Sequence, residues 1–277
     1  MSQHATAAAG AQEITARLNY AVDTGEMLVN EISAAGGTSR RVVGKYEDRQ
    51  VGMRDGRAAR DRFRLETHGF VFVDHATRVT DFYDDDEVRA VYYPELERLI
   101  LDQTGGRRVH IFDHTRRHSD EGTRAERKVR EPATSVHNDY TEWSGPQRVR
   151  DILPEEADEL LKRRFAIVQV WRAINTPIEH SPLAMCDART LDAGDLLITE
   201  RRAPGRIGQT YRVTYNPAHE WYWFPRMTRD EALVFKVYDS DAGSPARWTA
   251  HSAFDNPTAP AGAPPRESME ARSFVFW

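Results

Sequence analysis

The chain has 277 residues, of which 40% are hydrophobic and 29% are charged, and its formal net charge is −5. This acidic balance argues against general nucleic-acid binding, which needs a basic surface, and no apolar run reaches the roughly 18 residues of a transmembrane helix. The single cysteine, Cys186, excludes a disulfide framework within the chain and favours a reducing compartment, the cytoplasm by default. The polar, Ala-rich start predicts a disordered tail at residues 1–15.

The first third of the chain mixes strand and helix signals. Arg17–Val22 and Gly69–Asp74 are β-prone runs. Asp84–Asp102 carries apolar residues at helical spacing, although Pro94 within it predicts a kink or a break. We therefore expect residues 16–106 to form an α/β layer that packs on the rest of the chain.

The remaining residues read as mainly β. Asp120–Glu131 is predicted to be a charged loop, and Asp151–Arg164 is the clearest helix because acidic residues begin it and basic residues end it. Turn signals separate the later β-prone runs, a spacing that is typical of a sandwich or a barrel. We predict one domain over residues 1–277, mainly β with flanking helices (α+β). The β-prone runs are Phe165–Arg172, Leu183–Arg189, Asp195–Thr199, Tyr211–Tyr215, Glu220–Phe224, Ala232–Tyr238 and Arg272–Phe276.

His137 and Asp139 form a His-X-Asp motif. On a strand, residues i and i+2 point to the same side, so the imidazole and the carboxylate would aim at a common point. They would supply two of the three ligands of the 2-His-1-carboxylate triad, which leaves positions open on Fe(II) for a co-substrate and O2. The motif alone is a weak signal, because a loop histidine beside a solvated aspartate has the same sequence. The β-rich stretch that follows it favours the metal interpretation.

Two histidines compete for the role of third ligand. His251 is preferred because it follows the β-prone run Glu231–Phe235 and precedes Arg266. His219 is the alternative, and it could equally be packed among the aromatic residues that follow it. Arg266 is suited to a dicarboxylate co-substrate, since its planar guanidinium can make two parallel hydrogen bonds to one carboxylate.

The segment His137–Arg150 resembles the hydroxylase/desaturase family of specialised metabolism, and the similarity extends from about Asn19 to the C-terminus. The resemblance implies an Fe(II)/2-oxoglutarate oxygenase whose core, residues 107–277, is a double-stranded β-helix, a jelly-roll or cupin-like barrel. Such an enzyme uses O2 to hydroxylate, desaturate or oxidatively cyclise a small-molecule metabolite, and it releases succinate and CO2. The other segments that carry the resemblance are Val109–His114, Val170–Arg172, Pro182–Arg189, Tyr215–His219, Lys236–Ser240 and Pro264–Arg272.

The resemblance also implies roles for single residues. Arg266 and Arg272 both lie in the terminal Arg-rich segment, and either could hold 2-oxoglutarate. Arg172 and Tyr140 are further candidates for cofactor binding; Arg172 could instead form a structural ion pair. The iron ligands implied are His137, Asp139 and His251.

The chain departs from the family pattern at two positions. Gln169 stands where Asn is common, and Ala173 stands where Pro is common. Neither departure removes a ligand, but both could alter the pocket. Two alternatives remain open at this point: a cupin-type metal enzyme that uses the same triad without 2-oxoglutarate, and a barrel that only binds a small molecule. A homodimer is also possible.

Overall fold

The computed structural model describes residues 13–32, 40–175 and 177–277. In chain order the strands are β1 (Glu13–Val22), β2 (Leu28–Ile32), β3 (Arg40–Val43), β4 (Lys45–Asp55), β5 (Phe70–Asp74), β6 (Arg108–His118), β7 (His137–Asn138), β8 (Phe165–Ala173), β9 (Leu183–Cys186), β10 (Leu196–Ala203), β11 (Arg206–Val213), β12 (Trp221–Trp223), β13 (Glu231–Asp239), β14 (His251–Ala253) and β15 (Glu267–Phe276). The α-helices are α1 (Asp85–Glu87), α2 (Tyr93–Thr104), α3 (Glu121–Arg127), α4 (Ser144–Ile152) and α5 (Ala157–Leu160).

These strands form two sheets. The larger has ten strands in the order β1-β4-β12-β9-β14-β7-β11-β10-β2-β3, and the smaller has five in the order β5-β13-β8-β15-β6. Strands β8 and β13 are buried along their whole length, as expected for inner strands that are covered on both faces. No helix in the described part of the chain is long and apolar enough to span a membrane.

The ten-stranded sheet curls, so the chain has two hydrophobic clusters on opposite faces of β9. Two isolated β-bridges connect β1 to the residues beside β7 and β11: Asn19 pairs with Ser135, and Ala21 pairs with Thr214. Because successive strand residues point to opposite faces, Ala184 and Cys186 pack in the cluster that this curl encloses, with Trp221. Leu183 and Met185 pack instead in the main cluster with the five-stranded sheet. The face of β9 that carries Met185 is the one that looks toward the smaller sheet.

A helical segment covers the outer face of the five-stranded sheet. One π turn, Val88–Tyr92, joins α1 to α2, and Pro94 lies in the first turn of α2. Proline has no N–H to donate and is tolerated at this position. The helix ends at Gly105, whose φ of 65° is left-handed. The predicted break at Pro94 therefore takes the form of a π turn just before the proline.

Two of the predicted elements differ from the structure. The single helix predicted over Asp151–Arg164 is wrong, because α4 ends at Ile152 and the short α5 follows. Pro154 disfavours helical backbone at the residue before it, and Leu153 has φ −123° and ψ 55°. The predicted charged loop Asp120–Glu131 contains α3, whose first turn is capped when the Asp120 side chain accepts from the Thr123 N–H.

The N-terminal third takes part in both sheets. Strand β4 pairs with β1 and β12 in the larger sheet, while β5 pairs with β13 in the smaller one. The predicted tail, residues 1–15, lies outside the described residues up to residue 12, and its last three residues begin β1. The layer predicted over residues 16–106 thus supplies strands as well as the covering helix.

A buried arginine joins the small sheet to this covering helix. The Arg172 guanidinium lies 4.9 Å from the centre of the Tyr92 ring and donates to the Arg229 carbonyl at 3.1 Å. It also donates to Nδ1 of His75. A guanidinium can only donate, so His75 must accept and stay neutral. Burial lowers the pKa of His75, and the Arg172 charge lowers it further.

This arrangement predicts how stability depends on pH. Burial also lowers the pKa of His68, His110, His114, His137 and His219. A depressed folded-state pKa means that the unfolded chain binds the proton more readily. The stability that these neutral histidines contribute is therefore fully present above pH ~6.5, and it is lost as the pH falls through their folded-state pKa values. We expect the free energy of unfolding of the metal-free protein to fall by at least about 1 kcal/mol from pH ~7.5 to ~5.5.

Urea unfolding in the presence of a chelator measures this change. His75→Asn keeps an acceptor beside Arg172 and removes one titrating group, so the loss should be smaller in that variant. An identical loss in both proteins would show that His75 does not contribute.

Candidate metal centre

Three side chains from two neighbouring strands meet at the face that looks toward the five-stranded sheet. His137 begins β7, Asp139 follows the end of that strand, and His251 begins β14. Strand β14 pairs with β7 so that His251 lies directly opposite His137, and the two imidazole centres are 4.4 Å apart. One ligand atom from each of the three residues lies within 4.8 Å of the other two.

Both imidazoles are held in the form that binds metals. Nδ1 of His137 is 2.8 Å from the Ser135 carbonyl oxygen, and Nδ1 of His251 is 3.0 Å from that of Thr249. A carbonyl only accepts, so each Nδ1 carries a proton, which leaves Nε2 as the nitrogen whose lone pair can bind a metal. Nε2 of His251 is buried and has no hydrogen-bond partner among the described residues. Burial and the neighbouring His251 lower the pKa of His137 well below its usual value, which keeps it neutral.

The carboxylate of Asp139 completes the donor set. Its Oδ1 lies 3.6 Å from Nε2 of His137. Its Oδ2 accepts from the Gln169 amide at 2.6 Å and lies 3.7 Å from Nε of Arg272. Burial by itself would raise the pKa of Asp139, but the Arg272 charge and the hydrogen bond from Gln169 lower it well below its usual range. Two neutral imidazoles and one ionised carboxylate are the donors that Fe(II) takes in a facial triad, so the residues present fit that metal.

Asn138 ties the three ligands together. Its amide nitrogen donates to the Tyr140 carbonyl at 2.7 Å and to the Val237 carbonyl at 2.9 Å, and its amide oxygen accepts from the Thr249 N–H at 3.1 Å. Val237 belongs to the five-stranded sheet and Thr249 precedes His251. One fully buried side chain therefore joins both sheets and both ligand segments.

Arg266, which directly precedes β15, and Arg272, which lies within it, have different electrostatic surroundings. Arg272 contacts the carboxylates of Asp113, Asp139 and Glu270. Burial by itself would lower the pKa of Arg272, but these carboxylates raise it well above the usual value.

Arg266 has only neutral partners. It donates to the Ser181 carbonyl at 2.6 Å and to the Ser268 hydroxyl at 3.0 Å, and it lies 5.0 Å from the centre of the Trp171 ring. No carboxylate of the described residues lies within ion-pair distance of it. Burial, and then Arg117, lower its pKa to about 9, as expected for a buried cation that lacks a counter-charge.

The structure brings some of the other predicted site residues to this centre and not others. Tyr140 adjoins Asp139, and burial raises the pKa of its hydroxyl, which therefore stays protonated. Arg172 lies on the opposite face of β8 from Gln169, against the covering helix. His219 lies in the second cluster, where its Nε2 is 3.1 Å from Asp195.

The sequence analysis did not predict that two further residues, Asn138 and Gln169, support the candidate ligands. Asn138 stands between the two residues of the His-X-Asp motif, which was its only signal. Gln169 was noted as a departure from the family pattern, but its hydrogen bond to Asp139 crosses between the two sheets. No pattern local to β8 could reveal that contact.

The chain is similar to known proteins in both sequence and fold. The family model described as an oxidoreductase/YMDC permease-like domain matches residues 18–276. Hydroxylase/desaturase CTB9 of Cercospora beticola is 35% identical over 264 residues, which cover 87% of this chain and 81% of the relative. Hydroxylase/desaturase efuI of Hormonema carpetanum is 32% identical over 295 residues and 98% of both chains. The structure of the iron and alpha-ketoglutarate-dependent endoperoxidase NvfI matches with a TM-score of 0.84 and 28% identity, over 95% of this chain and 98% of that one.

A strand-rich fold of this kind with a His-Asp-His cluster defines a non-haem iron oxygenase. The chain belongs to the hydroxylase/desaturase family of Fe(II)/2-oxoglutarate-dependent oxygenases. The predicted jelly-roll fold is confirmed, as are Fe(II), 2-oxoglutarate and O2 as cofactor and co-substrates and a small molecule as substrate. Membership favours this chemistry over the cupin-type alternative.

The bonds of Asn138 predict a large effect on stability. Asn138→Ala leaves two buried carbonyls and one buried N–H without partners, and three lost hydrogen bonds cost about 3 kcal/mol together. Urea unfolding of the metal-free protein measures the difference. Asn256→Ala is the matched control, since its amide donates to the Glu179 carbonyl and accepts from the N–H and hydroxyl of Thr258 at exposed or partly buried positions. Water can replace those bonds, so we expect this variant to cost about 1 kcal/mol or less. Equal losses in the two variants would contradict the role given to Asn138.

Proposed function

We propose that this chain oxidises a C–H bond of a small-molecule metabolite at an iron held by His137, Asp139 and His251. The observation that carries the proposal is the meeting of two Nε2 lone pairs and one ionised carboxylate at a single point. Bound Fe(II) and 2-oxoglutarate together supply the activation of O2, with release of succinate and CO2. The part of the protein is to position the substrate and to exclude competing reactions.

Arg266 is the residue that we propose to hold the far carboxylate of 2-oxoglutarate. Its charge is buried and makes no ion pair with the described residues, since Glu270, the carboxylate that raises its pKa, is paired with Arg272. A carboxylate bound there would supply the missing partner. Arg272 is already surrounded by three carboxylates, so its role in the proposal is to support Asp139. Arg172 is left out of the proposal because it faces the covering helix.

Tyr140 and Trp171 complete the proposed cofactor side of the cavity. Trp171 places its ring against the Arg266 guanidinium, which fixes the direction of that side chain through a cation–π contact. The hydroxyl of Tyr140 stays protonated and is therefore available as a hydrogen-bond donor.

The outcome of the oxidation is proposed to follow from substrate position. The relatives are named hydroxylase/desaturases, and NvfI is named an endoperoxidase. Hydroxylation, desaturation and ring formation would all begin at the same three ligands. The shape of the cavity around the substrate would then decide among them.

The remaining sequence predictions stay predictions. The main hydrophobic cluster contains residues from the N-terminal third, such as Phe63 and Leu96, together with residues of β8, β13 and β15. This shared core supports a single oxygenase domain. The homodimer and the cytoplasmic location await measurement of the oligomeric state and of the protein's distribution in cells.

Replacing each candidate histidine tests the ligand set. His251→Ala should weaken Fe(II) binding by at least about a hundredfold, because one of three ligands is removed from a site where even outer-shell changes cost 10–100-fold. His219→Ala should leave Fe(II) affinity unchanged. Anaerobic Fe(II) titration with calorimetric detection measures both. Loss of binding in His219→Ala alone would overturn the assignment.

The arginine assignment has its own test. Arg266→Met removes the charge and keeps a side chain of similar size. We expect 2-oxoglutarate to bind the Fe(II)-loaded variant about 10–100-fold more weakly, because that is the loss in affinity expected when a hydrogen bond to a charged group is removed. The visible charge-transfer band of the complex reports the titration under anaerobic conditions. Arg117→Met, which removes the nearest neighbouring cation named above, is the control and should change the affinity much less. A larger loss of 2-oxoglutarate affinity in Arg117→Met than in Arg266→Met would contradict the role proposed for Arg266.

A further inference from the structure

Asp139 presents its two carboxylate oxygens to different surroundings. Oδ1 lies on the side of the histidines, 3.6 Å from Nε2 of His137. Oδ2 is turned the other way, toward the Gln169 amide at 2.6 Å and the Arg272 guanidinium at 3.7 Å. The protein therefore distinguishes the oxygen that can face a metal from the oxygen that cannot.

The hydrogen bond to Asp139 fixes which way the Gln169 amide is turned. Gln169 is fully buried on β8, opposite Arg272 of β15 and Phe235 of β13. A carboxylate accepts but does not donate, so only the amide nitrogen can face Asp139. The amide oxygen, Oε1, is then buried without a hydrogen-bond partner among the described residues.

An unpartnered buried oxygen is costly. Leaving such a group unsatisfied costs on the order of 1–3 kcal/mol, and an apolar side chain of the same shape would avoid that cost. The hydrogen bond to the Asp139 carboxylate offsets this cost by a similar amount, so Gln169 brings the fold little net stability. Its one hydrogen bond to another side chain is the bond to Asp139, which points to a function at the metal centre.

Building on the proposed ligand set, we propose that Gln169 is a positioning residue that keeps Asp139 a one-oxygen ligand. A carboxylate that binds through both oxygens occupies two positions on a metal, whereas one that binds through a single oxygen occupies one. The facial triad works because it leaves positions open for the co-substrate and O2. By binding Oδ2, Gln169 keeps the position beside Asp139 free for 2-oxoglutarate.

Gln169 is better suited to this role than Arg272. The Gln169 bond is a direct hydrogen bond of 2.6 Å, whereas Nε of Arg272 is 3.7 Å away and its guanidinium is shared with Asp113 and Glu270. The Asn that the family resemblance leads one to expect at position 169 is one methylene shorter, about 1.5 Å less in reach. From the same backbone position, Asn would not make this bond.

Two variants test the proposal in the full-length protein. Gln169→Met has nearly the same length and no donor, and Gln169→Asn keeps the amide but loses its reach. In both, Fe(II) affinity should stay within a fewfold of wild type, because the released Oδ2 can bind the metal as well. The affinity of the Fe(II)-loaded variant for 2-oxoglutarate should fall at least about tenfold, the lower end of the effect of outer-shell changes.

Anaerobic titration gives both affinities, and the position of the visible charge-transfer band gives a signature that a purely structural role would not shift. Equal 2-oxoglutarate affinity and an unshifted band in Gln169→Met would overturn the proposal. So would weaker Fe(II) binding with unchanged 2-oxoglutarate affinity, which would indicate structural support alone. If Gln169→Met does not fold, Gln169→Asn decides by the same criteria.

Wild-type protein separates this proposal from the assigned function. A charge-transfer band in wild type supports the iron and 2-oxoglutarate site whatever the variants do. If wild type binds Fe(II) and gives no band, the proposed function itself fails, and the Gln169 proposal fails with it.

Discussion

The pairing of β14 with β7 is the constraint on which the metal centre depends, because it sets His251 directly opposite His137. These strands are short, of three and two residues, so their own ladder hydrogen bonds could not hold them in register. Asn138 supplies the missing restraint by bonding to the backbone of both ligand segments and of β13. Its buried amide is fully used, and such satisfied networks fix one arrangement of their neighbours.

The charged groups around the metal centre divide into a set joined by ion pairs and a single cation that has none. Arg272 and its three carboxylates form a network in which each charge has a partner, as buried charges require. Arg266, which lies six residues earlier and just before β15, has only neutral hydrogen-bond partners. The protein thus carries the cost of one buried cation without its counter-ion. A bound dicarboxylate would offset that cost, which ties the binding of the co-substrate to the electrostatics of the fold.

The sequence was most informative where the chemistry is local. The His-X-Asp motif could be read because a strand of period two aligns its own residues. The choice between His251 and His219 depended on the family order, since both follow β-prone runs, and only their packing separates them. Arg266 and Arg272 stand an even number of residues apart in one segment, so a period of two could not distinguish them, and their difference comes from contacts such as that of Arg272 with Asp113 on another strand. The helix predicted over Asp151–Arg164 failed because the backbone restriction before Pro154 outweighs a favourable charge pattern.

The two departures from the family pattern lie at opposite ends of one line of side chains. On the inner face of β8, Gln169 is paired with Arg272, Trp171 with Glu270, and Ala173 with Ser268. This line of side chains runs from Gln169, which donates to Oδ2 of Asp139, to Ala173, which is paired with the Ser268 that accepts from Arg266. Relatives with the same fold are named for different oxidations, so the three ligands alone cannot decide the product. Since residues 169–173 of β8 border the proposed 2-oxoglutarate site, substitutions on their inner face can change how the co-substrate lies without replacing a ligand. That makes β8 a natural place for members of the family to diverge in chemistry while they keep the same iron.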